Sequence, residues 1–331
     1  MNTAETSSKV KSLLGSALIW DNHGCLPLRA DDSFLPQLER YRQAGFTVVS
    51  INVGFGTMSW PEHLRVLSFM RQWIAQRPEK YCLVSGIRDA LRCKADGRLG
   101  IVFDVEGMTP VQHDLSMVQT LYELGVRWML VAYNNNNLAG GGCLDPKAGL
   151  TDVGRAIIDE MERVGMVLCV SHTSARAAAE ALEYSRNPVI FSHSNPSAVT
   201  AHYRNISDDL MRACASKGGV IGLNGIGPFL GGDTSLVNRL LDHIRYAIDL
   251  VGPEHVGLGL DYVFDRDELD EYLRLNPAMF PGMEPSKGVP MIEPEALSAI
   301  VEGLAREKLT DMEIWGILGE NWLRVASRVW H

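Results

Sequence analysis

The sequence predicts an α/β fold of the (β/α)8 TIM-barrel type, and three observations carry the prediction. Eight short, apolar, β-rich runs alternate with amphipathic helical stretches along most of the 331 residues. Runs such as IVFDVE (101–106) and PVIFSH (188–193) are apolar on both faces, as parallel strands between helices are. The turn after the first run, HGCLP (23–27), lacks the glycine-rich phosphate fingerprint of the main alternative, a doubly wound sheet.

The elements follow one another without an internal repeat or a long linker. Strands are predicted at residues 17–23, 46–54, 100–106, 126–133, 166–172, 188–193, 219–224 and 256–261. Helices are predicted at residues 61–76, after 110, and at 154–164, 174–185, 207–216, 236–250, 293–307 and 310–328. The chain is therefore interpreted as one domain, 1–331, with a polar N-terminal extension at 1–16. An irregular stretch at 262–294, rich in Pro, Asp and Met, is expected to lie over the rim of the active site.

Composition excludes several classes of protein. Lys and Arg total 31 against 40 Asp and Glu, which gives a net charge of −9 without basic runs, so a nucleic-acid surface is not expected. No apolar run approaches the roughly 20 residues of a membrane span, and no secretory signal precedes residue 17. We therefore expect a cytoplasmic protein with no membrane partner.

Polar residues end most of the predicted strands. They are His23, Glu106, Tyr133, His172, His193, Asn224 and Asp261. Active sites of this fold collect at the C-terminal ends of the strands, so these side chains should converge. A histidine alone at a strand end is more often a hydrogen-bonded structural residue, and an aspartate alone after a strand is more often a helix cap. One metal centre explains the set together, since two histidines and a glutamate form a common catalytic zinc site.

A series of motifs then resembles a known family. The motifs are DNHGCLPL (21–28), DVEGM (104–108), LGVRWMLVAYNNNN (124–137), GLTDVG (149–154), SHTS (171–174), PVIFSHSNP (188–196), RNISDD (204–209), HVGLGLDY (255–262) and GENWLRV (319–325). In order and approximate spacing, this set resembles the membrane dipeptidase (renal dipeptidase) family of zinc peptidases. The resemblance covers almost the whole chain.

The resemblance implies a role for each strand-end residue. Glu106 would bridge two metal ions, His172 and His193 would complete the second site, and His23 would bind the first ion. Arg204 would hold the substrate carboxylate through its guanidinium fork, unless it forms a surface ion pair with Asp208 or Asp209. Asp261 would act as base or proton shuttle, and Asn224 is assigned to substrate binding. The family also implies zinc, one or two ions per chain, and a homodimer.

Two residues depart from the family pattern. Cys25 occupies the position of an aspartate ligand of the first metal. As a thiolate it would bind zinc well and favour a binuclear centre, whereas a neutral thiol would leave the centre mononuclear. Tyr133 replaces a histidine that helps to polarise the scissile carbonyl. Its hydroxyl can donate a hydrogen bond to an oxyanion but carries no charge, which suggests a changed substrate or weak activity on ordinary dipeptides.

Three hypotheses of function follow. The first is hydrolysis of an amide bond in a dipeptide or a similar small carboxylate substrate. The second is hydrolysis of another small metabolite, such as an amidine, lactam or lactone, on the same scaffold. The third is a catalytically silent protein that binds a metal or ligand.

Overall fold

The computed structural model describes residues 3–56, 58–283 and 288–331, with residues 3–6 described by their backbone only. The described strands all pair in parallel. They are β1 Trp20–Cys25, β2 Val48–Phe55, β3 Tyr81–Leu83, β4 Leu99–Glu106, β5 Val126–Leu130, β6 Val167–Cys169, β7 Val189–Ile190, β8 Ile221–Leu223, β9 Val256–Leu258 and β10 Tyr262–Val263. The predicted barrel is confirmed.

Eight of these strands form the ring of the barrel. Their order is β7-β6-β5-β4-β2-β1-β9-β8, and a parallel bridge between Phe191 and Ile221 joins the two ends. The two remaining strands, β3 and β10, lie outside this ring, and each pairs with one strand of it. Strand β3 pairs with the start of β4, and β10 pairs with the end of β1. Neither β3 nor β10 was predicted from the sequence, since they are only three and two residues long.

Helices cover the outside of the ring and, at residues 227–230 and 266–275, line the pocket at its mouth. They are α1 Thr3–Ser16, α2 Leu38–Ala44, α3 Trp60–Ala75, α4 Ile87–Asp96, α5 Ser116–Glu123, α6 Asp152–Val164, α7 Ala175–Tyr184, α8 Asp208–Ser216, α9 Gly227–Leu230, α10 Leu236–Val251, α11 Arg266–Leu275, α12 Leu297–Arg306, α13 Asp311–Trp315 and α14 Asn321–Val329. Thr151 and Ser207 cap the N-termini of α6 and α8, and Gly165 ends α6 in a left-handed conformation. None of the helices in the described parts of the chain is long and apolar enough to cross a membrane.

Two segments are more regular than the sequence suggested. In the N-terminal extension, residues 3–16 form α1, which packs on α12 and buries Val10 and Leu13 in the core. In the stretch 262–294, Asp265 caps the ten-residue helix α11 by accepting a hydrogen bond from the Glu268 amide. Residues 1–2 and 284–287 of these two segments lie outside the described residues. Both helices are mostly polar, so their short apolar stripes give a weak periodic signal.

The predicted helix 310–328 is divided in two. A π-helical turn at 316–320 separates α13 from α14, and Gly319 in this turn approaches the backbone of β1. A Cβ atom at Gly319 would meet the carbonyl oxygen of Leu18 and lie 2.8 Å from the amide nitrogen of Trp20. Glycine is therefore required here by close backbone contact.

We expect Gly319→Ala to lower the free energy of unfolding by about 3 kcal/mol, since neither backbone neighbour can move without disturbing the barrel. Gly15→Ala is the matched control. Its new Cβ has no neighbour within 4 Å, so this variant should be neutral or up to about 1 kcal/mol more stable. Urea unfolding measures both, and equal stability of the two variants would contradict the close-contact argument.

A buried histidine makes the stability of the protein depend on pH. His63 of α3 is fully buried against Gly54 of β2, and burial lowers its pKa from 6.5 to about 4. As the pH falls from 6.5 towards 4, the unfolded chain takes up a proton at this residue before the folded chain does. The contribution of His63 to the free energy of unfolding should therefore fall by about 3 kcal/mol over this window and stay constant below it.

The test is urea unfolding at pH 7, 5.5 and 4 on wild type and His63→Gln. The variant should lose this part of the pH dependence, while His113→Gln, which removes an exposed imidazole, should keep it. An identical pH slope in wild type and His63→Gln would contradict the assignment.

Candidate metal centre

The C-terminal ends of the strands bring one carboxylate and three histidines together. Glu106 is the last residue of β4, His23 lies in β1, and His172 and His193 follow β6 and β7. The Oε1 atom of Glu106 lies 3.5 Å from Nε2 of His23 and 3.4 Å from Nε2 of both other histidines. Oε1 is buried and has no hydrogen-bond partner among the described residues. Four potential ligand atoms therefore surround one small space.

A polar group behind each imidazole orients it. Asn134 Oδ1 lies 2.7 Å from Nδ1 of His172, and Ser192 Oγ lies 2.8 Å from Nδ1 of His193. The Nδ1 atom of His23 faces the buried carboxylate of Asp104 at 3.4 Å. With each Nδ1 atom directed at such a group, the three Nε2 atoms point into the centre, as in metal sites where a second group fixes each histidine.

Burial sets the protonation of these groups. It lowers the pKa values of His172 and His193 well below 6.5, with nearby positive charge adding to the effect, so both imidazoles are neutral and able to bind a metal. Burial also raises the pKa of Glu106 to about 8, an effect that the neighbouring His23 only partly opposes. A buried carboxylate of this kind is stabilised by a cation placed against it.

A second group of potential ligands adjoins the first. The Sγ atom of Cys25 lies 3.4 Å from Nε2 of His23 and 3.6 Å from Oδ1 of Asp261. The other oxygen of Asp261, Oδ2, accepts a hydrogen bond of 2.8 Å from Nδ2 of Asn224. Burial raises the pKa of the Cys25 thiol to about 12, with His23 lowering it in part. A bound cation would be needed to deprotonate this thiol near neutral pH.

These separations fit zinc. A tetrahedral ion with N, O or S ligands at about 2.0–2.3 Å places its donor atoms about 3.3–3.6 Å apart. The distances around Glu106, His23 and Cys25 fall within or close to this range. The exception is the 2.8 Å between the Nε2 atoms of His172 and His193, which would have to separate by about half an ångström to bind an ion. Both groups of donors therefore have separations compatible with a bound metal ion.

Backbone strain is concentrated at this centre. Within the described residues, four that are not glycine have a positive φ, and three of them lie at strand ends of the site: Asn134, His172 and Asp261, with φ from 54° to 60°. This conformation is costly for such residues and persists where the surrounding structure enforces it. It directs the three side chains into the mouth of the barrel.

Arg204 lies beside the centre as a buried cation. It is 4% exposed, and its Nη2 atom donates to the carbonyl of His193 at 3.4 Å. Within the described residues no carboxylate forms a salt bridge with it, and Asp208 instead accepts from the Tyr246 hydroxyl. The surface ion pair considered as an alternative is therefore absent from this part of the chain. The guanidinium is available for an anionic ligand.

Tyr133 stacks on a histidine of the centre. Its ring lies 4.2 Å from that of His172, with the planes 23° apart. Burial raises the pKa of the Tyr133 hydroxyl well above 10, and the nearby Glu106 adds to this effect, so the hydroxyl stays protonated. It is therefore a neutral hydrogen-bond donor at the edge of the metal centre.

The residues that face the centre were predicted from the sequence, but the residues that orient the histidines were not. Asn134, Asp104 and Ser192 each support one histidine, and none was singled out. Each lies one or two positions from a predicted site residue. The polar interruption of an otherwise apolar run, as at Asp104 in IVFDVE, was the signal available for finding them.

Comparisons with known proteins identify the family of this chain. A model of the membrane dipeptidase family (peptidase family M19) matches residues 43–275. An uncharacterized dipeptidase of Schizosaccharomyces pombe is 33% identical over 247 residues, which are 70% of this chain and 54% of that protein. The chain thus spans about half the length of this relative.

Solved structures share the fold. An amidohydrolase from Pseudomonas aeruginosa superposes with a TM-score of 0.88 and 24% identity, covering 97% of this chain and 99% of that one. A metallo peptidase from Rhodobacter sphaeroides, solved with a phosphinate mimic of the dipeptide L-Ala-D-Ala, gives a TM-score of 0.77 at 18% identity, covering 95% and 99%. The family match spans more than half of the sequence and includes six of the seven strand-end residues. The chain belongs to the membrane dipeptidase family (peptidase family M19).

Proposed function

We propose that this chain is a zinc-dependent hydrolase that cleaves the amide bond of a dipeptide or a dipeptide-like carboxylate substrate. The proposal rests above all on the oxygen of Glu106 that three imidazole nitrogens share. Family membership and the names of the relatives support dipeptides as the substrate class. The homodimer and the cytoplasmic location stay predictions.

Each residue then has a distinct part in the reaction. Zinc held by Glu106 and the histidines would supply hydroxide near neutral pH, since it lowers the pKa of water to about 7. Asp261 would take up the proton of the attacking water on Oδ1 while Asn224 holds Oδ2 in place. The Tyr133 hydroxyl would donate a hydrogen bond to the developing oxyanion.

Arg204 would bind the carboxylate of the substrate. Its guanidinium is buried within reach of the His193 backbone, so an arriving carboxylate would meet a desolvated, fixed donor. Binding the carboxylate at one end would place the scissile amide over the metal centre. The requirement for this anion would restrict the enzyme to small substrates with a free terminal carboxylate.

The experiment is a hydrolysis assay on zinc-loaded protein, with dipeptides, N-acyl amino acids, lactams and lactones at equal metal content. Dipeptides should give the highest kcat/KM, and EDTA should abolish the reaction. Hydrolysis restricted to lactones or lactams would favour the second hypothesis. Failure to cleave any compound, with zinc bound, would sink the proposed function.

The role of Cys25 is tested by metal content and by spectroscopy. If its thiolate binds the first ion, wild type should hold two zinc ions per chain and Cys25→Ser one, measured by elemental analysis. Cobalt-substituted wild type should also show a sulfur-to-metal charge-transfer band in the near ultraviolet, which Cys25→Ser lacks. One ion in wild type, rising to two in Cys25→Asp, would show instead that the cysteine leaves the first site empty.

A further inference from the structure

The mouth of the barrel has two chemically different sides. Arg204 follows β7, and its guanidinium lies 5.6 Å from the ring of Phe229, which belongs to α9 after β8. In the ring of strands, β7 and β8 are neighbours, and the strands opposite them are β4 and β2. A carboxylate held by Arg204 therefore lies on one side of the metal centre, and the rest of the substrate points to the other.

An aromatic surface begins on that opposite side, at β2, and continues to β5. Phe55 ends β2 and Tyr133 follows β5, and their rings are 5.0 Å apart. Tyr272 of α11 lies 5.3 Å from Phe55, and Phe280 lies 5.7 Å from Tyr272 and 6.4 Å from Tyr133. We call these four residues the aromatic wall. All four line the same pocket as Cys25, Glu106 and Arg204.

The aromatic wall is fixed to the metal centre by two contacts. Tyr133 stacks on His172, as described above. Asn134, which holds Nδ1 of the same histidine, donates through Nδ2 to the carbonyl of Met279 at 3.1 Å, directly before Phe280. The segment that carries Phe280 is thus anchored by the residue that orients a metal ligand. The wall is a built surface, because its members are held in mutual contact from three separate parts of the chain.

We propose that the aromatic wall binds a large apolar side chain on the acyl half of the substrate, the half whose carbonyl is attacked. This inference rests on the proposed function and adds a substrate class to it: an aromatic or long aliphatic residue joined to a small, carboxylate-bearing one. An aromatic side chain buries 150–250 Å² on average, so even partial transfer from water to this wall is a large contribution to binding.

The test compares Phe-Ala with Gly-Ala, using either configuration of the alanine, on zinc-loaded protein. The kcat/KM for Phe-Ala should exceed that for Gly-Ala by about 100-fold. Phe280→Ala and Tyr272→Ala should each lower this ratio by about ten-fold. Leu275→Ala is the matched control, because Leu275 lies in α11 with Tyr272 but is 63% exposed; it should leave the ratio unchanged.

Equal kcat/KM for the two dipeptides, or an equal fall of the ratio in Leu275→Ala, would overturn the inference. Binding of phosphinate mimics of Phe-Ala and Gly-Ala, measured by calorimetry, separates it from the proposed function. The protein could cleave no dipeptide and still bind the Phe-Ala mimic at least ten-fold more tightly than the Gly-Ala mimic, with this preference reduced in Phe280→Ala. That result would reject the proposed hydrolysis but support binding of a large side chain by the aromatic wall. Equal affinity for both mimics would reject the wall whether or not cleavage occurs.

Discussion

Asp261→Asn should reduce kcat/KM for dipeptides by about 100- to 10,000-fold while leaving the metal content unchanged. An amide of the same shape keeps the contact with Asn224 but cannot accept the proton of the attacking water. Because KM depends mainly on Arg204 and the pocket walls, most of the loss should fall on kcat. The measurement is steady-state kinetics together with elemental analysis on the same preparations.

The control for this variant is Asp267→Asn. It removes the same charge six residues later, at an exposed position of α11, and should retain wild-type kinetics. Loss of zinc in Asp261→Asn would show that Asp261 is a metal ligand and not a base. Retention of full activity would exclude it from both roles.

Glu106→Gln should remove both metal binding and activity. Its Oε1 atom is the point shared by His23, His172 and His193, and a neutral amide would leave the centre without the negative charge that balances a divalent ion. We expect less than one ion per chain and no measurable turnover. Glu183→Gln, at an exposed position of α7, should bind metal as wild type does.

Stability gives an independent readout of the same prediction. At a free zinc concentration 1,000 times the Kd, binding stabilises the folded state by about 4 kcal/mol, which for a chain of this length is about 6 °C in Tm. EDTA should therefore lower the Tm of wild type by about this amount and leave that of Glu106→Gln unchanged. A chelator-sensitive Tm in the variant would mean that the ion binds elsewhere.

The sequence identified functional residues most clearly at the ends of buried strands. A strand covered on both faces must be apolar, so a histidine or carboxylate at its end, as at His23 and Glu106, contrasts with its surroundings and can be found. The resemblance to a family supplied Arg204, which lies in a loop where no periodicity singles out an arginine. The barrel as a whole followed from the alternation of strands and helices.

The features that were missed depend on contacts between distant segments. Helix α11 is mostly polar, and its pocket-facing residues, such as Tyr272, become meaningful only beside Phe55, more than 200 positions earlier. The same holds for Asn134, whose two hydrogen bonds join His172 to Met279. The local sequence pattern cannot predict a contact between distant residues that forms only when the barrel is closed.

The circular order of the strands also determines when an ion can be taken up. The proposed metal ligands lie in or directly after β1, β4, β6 and β7, and all of them precede residue 194. Residues 1–193 contain all of these ligands, but His23 and His193, whose rings lie 4.1 Å apart, come together only when β8 and β9 have filled the ring between β7 and β1, so a nascent chain would acquire its complete metal centre only after these last strands have paired. Zinc binding would thus be a measure of complete folding. Proteolytic cleavage that separates β8 and β9 from the other strands would be expected to release the bound ion.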